Sequence, residues 1–255
     1  MTSDEMIAKR ASSFGRRAAD YAEHRPDYPA AAVRWALEPV LAAAPRVLDL
    51  AAGTGKLTAV IASLGVEVVA VEPDDAMRAE LSARMPEVQA LAGTAEDIPL
   101  PDGSVDAVLA GQAMHWFDHT RSMPELGRVL RPGGVLAGVW NDDDVSVDWV
   151  RNLDRLHTAT KIETDNVPNK KGIDLPVELG PFGPLARAEF KHSQRRTAES
   201  LVATAETHSL FLTMDEPLRT ETLDRMLAFL KSRPETAEGE FDYPLRVEVL
   251  RTIRS

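Results

Sequence analysis

Cysteine is missing from the 255-residue sequence, which excludes disulfides, thiolate metal sites and a cysteine nucleophile. Basic residues are in deficit: 29 Lys and Arg stand against 40 Asp and Glu, a formal charge of −11 with a sequence pI near 5.1. Binding by neutralisation of phosphates needs clustered Lys and Arg, so no nucleic-acid partner is expected. Long apolar runs are absent too. No segment approaches the roughly 18 apolar residues of a membrane span, and the opening "MTSDEMIAKRASSFGRRAADY" holds no apolar core of signal-peptide length. The expectation is a soluble, cytoplasmic protein with no membrane partner. What is present suffices for a core: 44% of residues are hydrophobic, enough for one domain with an elaboration.

Residues 46 to 139 repeat a short β-branched run, a turn and a helical stretch, the pattern of a parallel α/β sheet. Strands are expected at 46 to 51, 66 to 71, 88 to 92, 105 to 110 and 135 to 140, apolar enough to be covered on both faces. Leu57, Val60, Ile61 and Leu64 recur at helical spacing, and Gly65 supplies a left-handed stop. Asp74 or Asp75 caps a second helix running through Met85, with Met77 and Leu81 on its buried face. "PDGS" at 101 to 104 and "RPGG" at 131 to 134 read as tight turns before strands. Later elements are expected as a helix from about Asp148 to Lys161, a strand at 186 to 192, helices at 197 to 208 and 217 to 232, and a seventh strand at 241 to 250 paired at the sheet edge. There is no internal repeat and no low-complexity tract.

The stretch "VLDLAAGTGKLT", 47 to 58, runs a strand into a turn of small residues at the place where an open α/β sheet binds its ligand. The dinucleotide fingerprint puts a third small residue where this chain has Lys56, so NAD fits poorly. The phosphate-cradling loop fails as well, because Gly55-Lys56 is followed by Leu57 and the magnesium-ligating hydroxyl is missing. What remains is acid-x-small-x-Gly-x-Gly: Asp49, Ala51, Gly53 and Gly55. This resembles the first motif of the class I S-adenosylmethionine-dependent methyltransferases with a type 11 methyltransferase domain. Ala51 stands where the family usually has glycine, and its methyl is tolerable if that backbone keeps φ negative.

The resemblance covers roughly residues 10 to 140, with a looser match to the end. It implies an α/β, Rossmann-like class I methyltransferase fold: a seven-stranded, mostly parallel sheet with helices on both faces and an antiparallel edge strand. Glu72, in "VAVEPDDAM", matches the ribose-binding acid; two carboxylate oxygens suit two adjacent hydroxyls. Met77 matches the position against the adenine. In "GTAEDIPLPDGSVDAV", the Ala95 amide and Glu96 carboxylate match the readers of the adenine edge, and "RVLRPGGVLAGVWN" matches the approach to the fifth strand.

"FGRRAADYAEHRPDYP" at 14 to 29 puts Tyr21 and Arg25 on one face of a short helix that Pro26 ends. It resembles the cap of a small-molecule subgroup that includes the trans-aconitate methyltransferase-like proteins, which implies that Tyr21 and Arg25 close over the cofactor. "GQAMHWFDH" at 111 to 119 follows the fourth strand. The nucleic-acid N-methyltransferases carry two prolines there, and this chain has no Pro-Pro; it matches the small-molecule pattern instead. By that resemblance Gln112 faces the methionine moiety, while His115 and Trp116 face the acceptor. Trp140, Asn141 and Trp149 are candidates for the acceptor wall. His115 and His119 sit at i, i+4, but a metal site needs a third ligand and no other histidine has ligand spacing, so no metal is expected.

The function implied is in-line SN2 transfer of a methyl group from S-adenosyl-L-methionine to a small-molecule acceptor, leaving S-adenosyl-L-homocysteine. Such a displacement relies mainly on collinear placement in a dry pocket. A base helps only a protonated acceptor, and His115, with an ordinary pKa near ~6.5, is suited to that role or to orienting the acceptor. A single methyltransferase domain is expected over 1 to 255: cap helices at 1 to 45, a cofactor core at 46 to 140, an insertion at 141 to 185 and a C-terminal part at 186 to 255, the last two contributing the acceptor pocket. The alternative is a protein that keeps the cofactor fold without transferring methyl groups, as a regulator or a catalyst of another reaction. The acceptor, the methylated atom and the oligomeric state are left open.

Overall fold

The computed structural model describes residues 26–164 (side chains to 156), 180–206, 211 and 214–255. In chain order the elements are α1 (Ala30–Leu41), β1 (Arg46–Leu50), α2 (Lys56–Ser63), β2 (Glu67–Val71), α3 (Asp75–Arg84), β3 (Gln89–Leu91), β4 (Val105–Gly111), α4 (His119–Val129), β5 (Leu130–Asp143), α5 (Asp148–Thr164), β6 (Ala186–Arg196), α6 (Ala198–Glu206), α7 (Glu216–Lys231) and β7 (Phe241–Ile253). The seven strands form one sheet in the order β3-β2-β1-β4-β5-β7-β6.

The first five strands pair in parallel. β7 runs against β5: Gly133 N–H donates to the Arg254 carbonyl at 3.0 Å and Asp144 N–H to the Pro244 carbonyl at 3.1 Å, so one numbering rises as the other falls. An antiparallel bridge from Phe182 to Arg254 leads into β6. β7, expected at the edge, therefore lies one strand in. The residue patterns explain why: β7 is buried along most of its length, whereas no residue of β6 is buried. An edge is best formed by the charged, solvated strand.

Strand alternation sorts the core into two faces. Leu48, Leu50, Val69, Val71, Val108, Ala110, Leu136 and Trp140 pack on one face, with Met123 and Leu126 of α4. Val47, Ala107, Leu109, Val135, Ala137 and Val139 pack on the other, against Val33 and Leu37 of α1 and Leu57 and Ile61 of α2. Both faces are covered, as parallel strands require. Gly65 takes φ +75° after α2. Asp74 caps α3 through bonds of 3.0 Å from the Ala76 and Met77 amides, and the helix stops at Arg84. "PDGS" is a turn, with Gly103 at φ +55°. "RPGG" instead lies within β5 as an irregularity: Val105 pairs with Leu130 and Ala107 with Val135, so two steps along β4 are matched by five along β5. Gly133, at φ +77°, absorbs the extra length.

By packing, the chain separates into two compact units. One includes Asp27–Asn141 and Val247–Ser255; the other includes Lys191–Arg246 and α5. The boundary falls inside β5, β6 and β7. The second unit has its own core, in which Trp149, Val150, Leu201, Leu223, Met226, Leu230, Phe241 and Tyr243 are buried.

Candidate functional site

In the order β3-β2-β1-β4-β5, the direction of the connections reverses between β1 and β4, and open α/β sheets bind their ligands outside the carboxyl ends of the strands at such a reversal. Among the described residues three non-glycines have positive φ, and two of them stand at this reversal: Ala51 after β1 and Gln112 after β4, each at +56°. The expectation of negative φ at Ala51 is overturned. The backbone keeps the left-handed conformation that glycine favours, with Gly53 at +58° and Gly55 at +86°, and the alanine methyl is accommodated under strain. Strained backbone of this kind clusters at functional sites.

Asp49, next to last in β1, is fully buried. Its Oδ2 accepts from the Thr58 hydroxyl at 2.5 Å, while Oδ1 has no partner among the described residues. Burial pushes the carboxyl up to about 7; the Thr58 bond opposes the shift, and the charge of Glu72 adds to it. Glu72, also buried, directly follows β2 and holds the turn: Oε2 accepts from Gly53 N–H at 2.8 Å and Oε1 from Asp74 N–H at 2.9 Å. Burial raises its pKa, and those two amides oppose the rise. Each oxygen keeps a second lone pair for another donor. A Cβ on Gly53 would lie 3.7 Å from the Met77 sulfur, so Met77 flanks the turn.

The segment after β3 is fixed by a residue that the sequence reading missed. Arg128 of α4 uses every guanidinium donor: it bonds Glu125, Asp102 and the Leu100 and Ile98 carbonyls. Glu125, its carboxyl held below the ordinary range mainly by Arg128, accepts from Ile98 N–H. Ala95 is thereby buried, and Glu96 accepts from the Asp118 amide at 2.9 Å, tying this segment to the one after β4.

Gln112 donates its amide to the Asn141 carbonyl at 2.7 Å, and Asn141 donates to the Asp27 carbonyl at 2.9 Å. Trp140 is 6% exposed and its indole N–H faces His115 Nδ1 at 3.5 Å. The Trp116 ring lies 4.8 Å from the His115 ring. Desolvation pushes His115 down to about 4, although the residue is exposed to solvent. Water damps the size of the shift, and the direction holds: the neutral imidazole is favoured. His119 is engaged by its Nε2 with the Met114 carbonyl at 3.0 Å.

Tyr21 and Arg25 lie outside the described residues. Trp149 is buried in the second unit, packed on Phe241 and Tyr243. Two further participants went unread in the sequence. Thr58 was discoverable, because a carboxylate at a buried strand end demands a donor. Tyr28 has no local signal; its hydroxyl occupies the space above Gly111, 2.5 Å from where a Cβ would be.

The methyltransferase domain family matches residues 48–138. An uncharacterised methyltransferase of Mycobacterium tuberculosis is 43% identical over 227 residues, 89% of each chain. The chain belongs to the class I methyltransferases. A protein of Mycolicibacterium smegmatis assigned as an S-adenosylmethionine-dependent methyltransferase is 39% identical over 148 residues, covering 56% of this chain and 58% of that one. A solved candidate Type II methyltransferase of Anaeromyxobacter dehalogenans superposes with a TM-score of 0.62 at 29% identity, covering 90% of this chain and 96% of its own. Three buried polar atoms, Asp49 Oδ1 in β1, Thr54 Oγ1 in the turn and Asn141 Oδ1 in β5, have no hydrogen-bond partner among the described residues. Buried polar groups are normally satisfied, and these three have capacity for a further hydrogen bond. Among the described residues no helix is long and apolar enough to cross a membrane.

Proposed function

We propose that the protein transfers a methyl group from S-adenosylmethionine to a small-molecule acceptor. The observation that carries this reading is the join between Glu72 and Gly53, a carboxylate with spare lone pairs bonded to the bare backbone of the glycine turn at 2.8 Å. The name of the Mycolicibacterium relative supports the choice of cofactor. When bound, the cofactor supplies an electrophilic methyl carbon on a sulfonium.

The chain's own residues do the rest. Glu72 takes the ribose hydroxyls; Met77, Ala95 and Glu96 take the adenine; Asp49, Ala51, Gly53 and Gly55 form the bed; Gln112 takes the methionine end. His115, Trp116, Trp140 and Asn141 form the acceptor side. The excess of acidic residues supports a small acceptor over a nucleic acid.

Calorimetric titration with S-adenosylmethionine and S-adenosylhomocysteine tests the proposal. Binding of both, abolished or strongly weakened in Glu72→Ala, is expected. Absence of binding, or binding indifferent to Glu72, overturns it. Binding with no homocysteine product against a broad acceptor panel would favour a cofactor-dependent protein without methyl transfer.

A further inference from the structure

We infer that Trp140 is a positioning residue that holds His115 as the neutral tautomer with its proton on Nε2, so that His115 meets the acceptor as a hydrogen-bond donor and not as a base. The statement about the acceptor rests on the placement of His115 under the proposed function; the tautomer itself does not.

An indole nitrogen can only donate. With Trp140 Nε1–H facing Nδ1 at 3.5 Å, Nδ1 must present its lone pair, and a neutral imidazole then carries its one proton on Nε2. Protonating Nδ1 would point one N–H at another. This adds to the desolvation that already disfavours the imidazolium, to which no ionised side chain contributes. The nearby titratable groups are otherwise occupied: His119 with the Met114 carbonyl and Glu96 with the Asp118 amide.

Trp140 can point this way because of the residue two before it. A Cβ on Gly138 would lie 2.0 Å from the Trp140 Cη2, 2.4 Å from its Cζ3 and 2.7 Å from the Met114 sulfur. The indole is folded back over bare backbone on its own strand. No larger side chain at 138 leaves that orientation open, and the buried ring has little freedom to turn. The Trp116 ring lies beside the imidazole, with centroids 4.8 Å apart. An acceptor meeting Nε2–H must offer a lone pair there, and no proton passes to His115.

Nitrogen-15 correlation spectra of the His115 ring in the full-length protein decide the matter without cofactor or acceptor. The wild type is expected to show the Nε2–H tautomer and to titrate below the ordinary histidine value. Trp140→Phe keeps an aromatic ring and removes the donor. Its His115 is expected to bind protons roughly three- to tenfold more tightly, the equivalent of one neutral hydrogen bond, and to populate both tautomers. An Nδ1–H tautomer in the wild type, or ordinary titration near ~6.5, overturns the inference on the wild type alone, even if the variant fails to fold. An unchanged tautomer and pKa in a folded Trp140→Phe would also overturn it. Calorimetry with S-adenosylmethionine is read separately, so failure of the proposed function leaves a distinct signature.

Discussion

The Glu72 carboxylate and the Gly53 amide, one directly after β2 and the other in the turn after β1, are bonded at 2.8 Å. Because Oε1 also takes the Asp74 amide, one side chain joins the glycine turn to the start of α3. Glu72→Gln offers one acceptor to two backbone donors and sets an amide N–H against the other. Leaving one buried donor unpaired costs about 1–3 kcal/mol. The variant is expected to melt at lower temperature and to bind S-adenosylmethionine about tenfold or more weakly, as read by calorimetry; an unaltered affinity would remove Glu72 from the cofactor site.

Ala51 holds φ +56° in a turn whose neighbouring glycines are also left-handed. The left-handed conformation costs an alanine roughly 1–2 kcal/mol that glycine escapes. Part of this is offset by the greater freedom glycine gains when unfolded. Ala51→Gly is therefore expected to raise stability by about 0.5–1 kcal/mol in denaturant titrations, and Ala51→Val to lower it. Destabilisation by glycine would mean that the methyl's packing against the core outweighs the strain.

These residues show what can be read from a sequence. Gly65 and Asp74 were legible because a left-handed stop and a helix cap are set within a few residues of chain. The strand faces were legible because alternation is local, and so were the acids at strand ends. The φ of Ala51 was not, since the residue type argues against the conformation that the fold imposes. The "RPGG" turn became part of β5 because pairing with β4 continues on both sides of it. Tyr28 over Gly111 and the Arg128 clamp join segments far apart in the chain, and nothing local announces them.

Asp49 makes stability depend on pH. Its folded-state pKa, about 7, lies above the ordinary 3.8, so the folded protein holds this proton more tightly than the unfolded chain does. The stabilisation is full below pH 3.8 and is lost as pH rises through 7, by about 1.4 kcal/mol per unit at most. Glu72, also raised, acts in the same direction. Asp49→Asn keeps an acceptor for Thr58 and cannot ionise. Its stability relative to wild type is expected to improve from pH 5 to about 7, and to level off between there and pH 8.5, in urea titrations. A constant difference across that range would show that Asp49 is already ionised at pH 5.

Gly111 ends β4 beneath the Tyr28 ring: a Cβ there would come within 2.5 Å of the hydroxyl, 2.9 Å of Cζ and 3.3 Å of Leu57 Cδ2. Tyr28 and Leu57 are both buried, so neither has open space to retreat into. Overpacking of this kind costs about 1–3 kcal/mol, and Gly111→Ala should show that loss in thermal and urea denaturation. Tyr28→Phe removes the atom in closest conflict. In the double variant the loss should be smaller than the sum of the two single losses, by about 0.5 kcal/mol or more. Strict additivity would mean that Gly111→Ala acts through the backbone and not through Tyr28. Because Gln112, strained and bonded to Asn141, follows directly, the same displacement is expected to weaken cofactor binding in Gly111→Ala and to be partly recovered in the double variant.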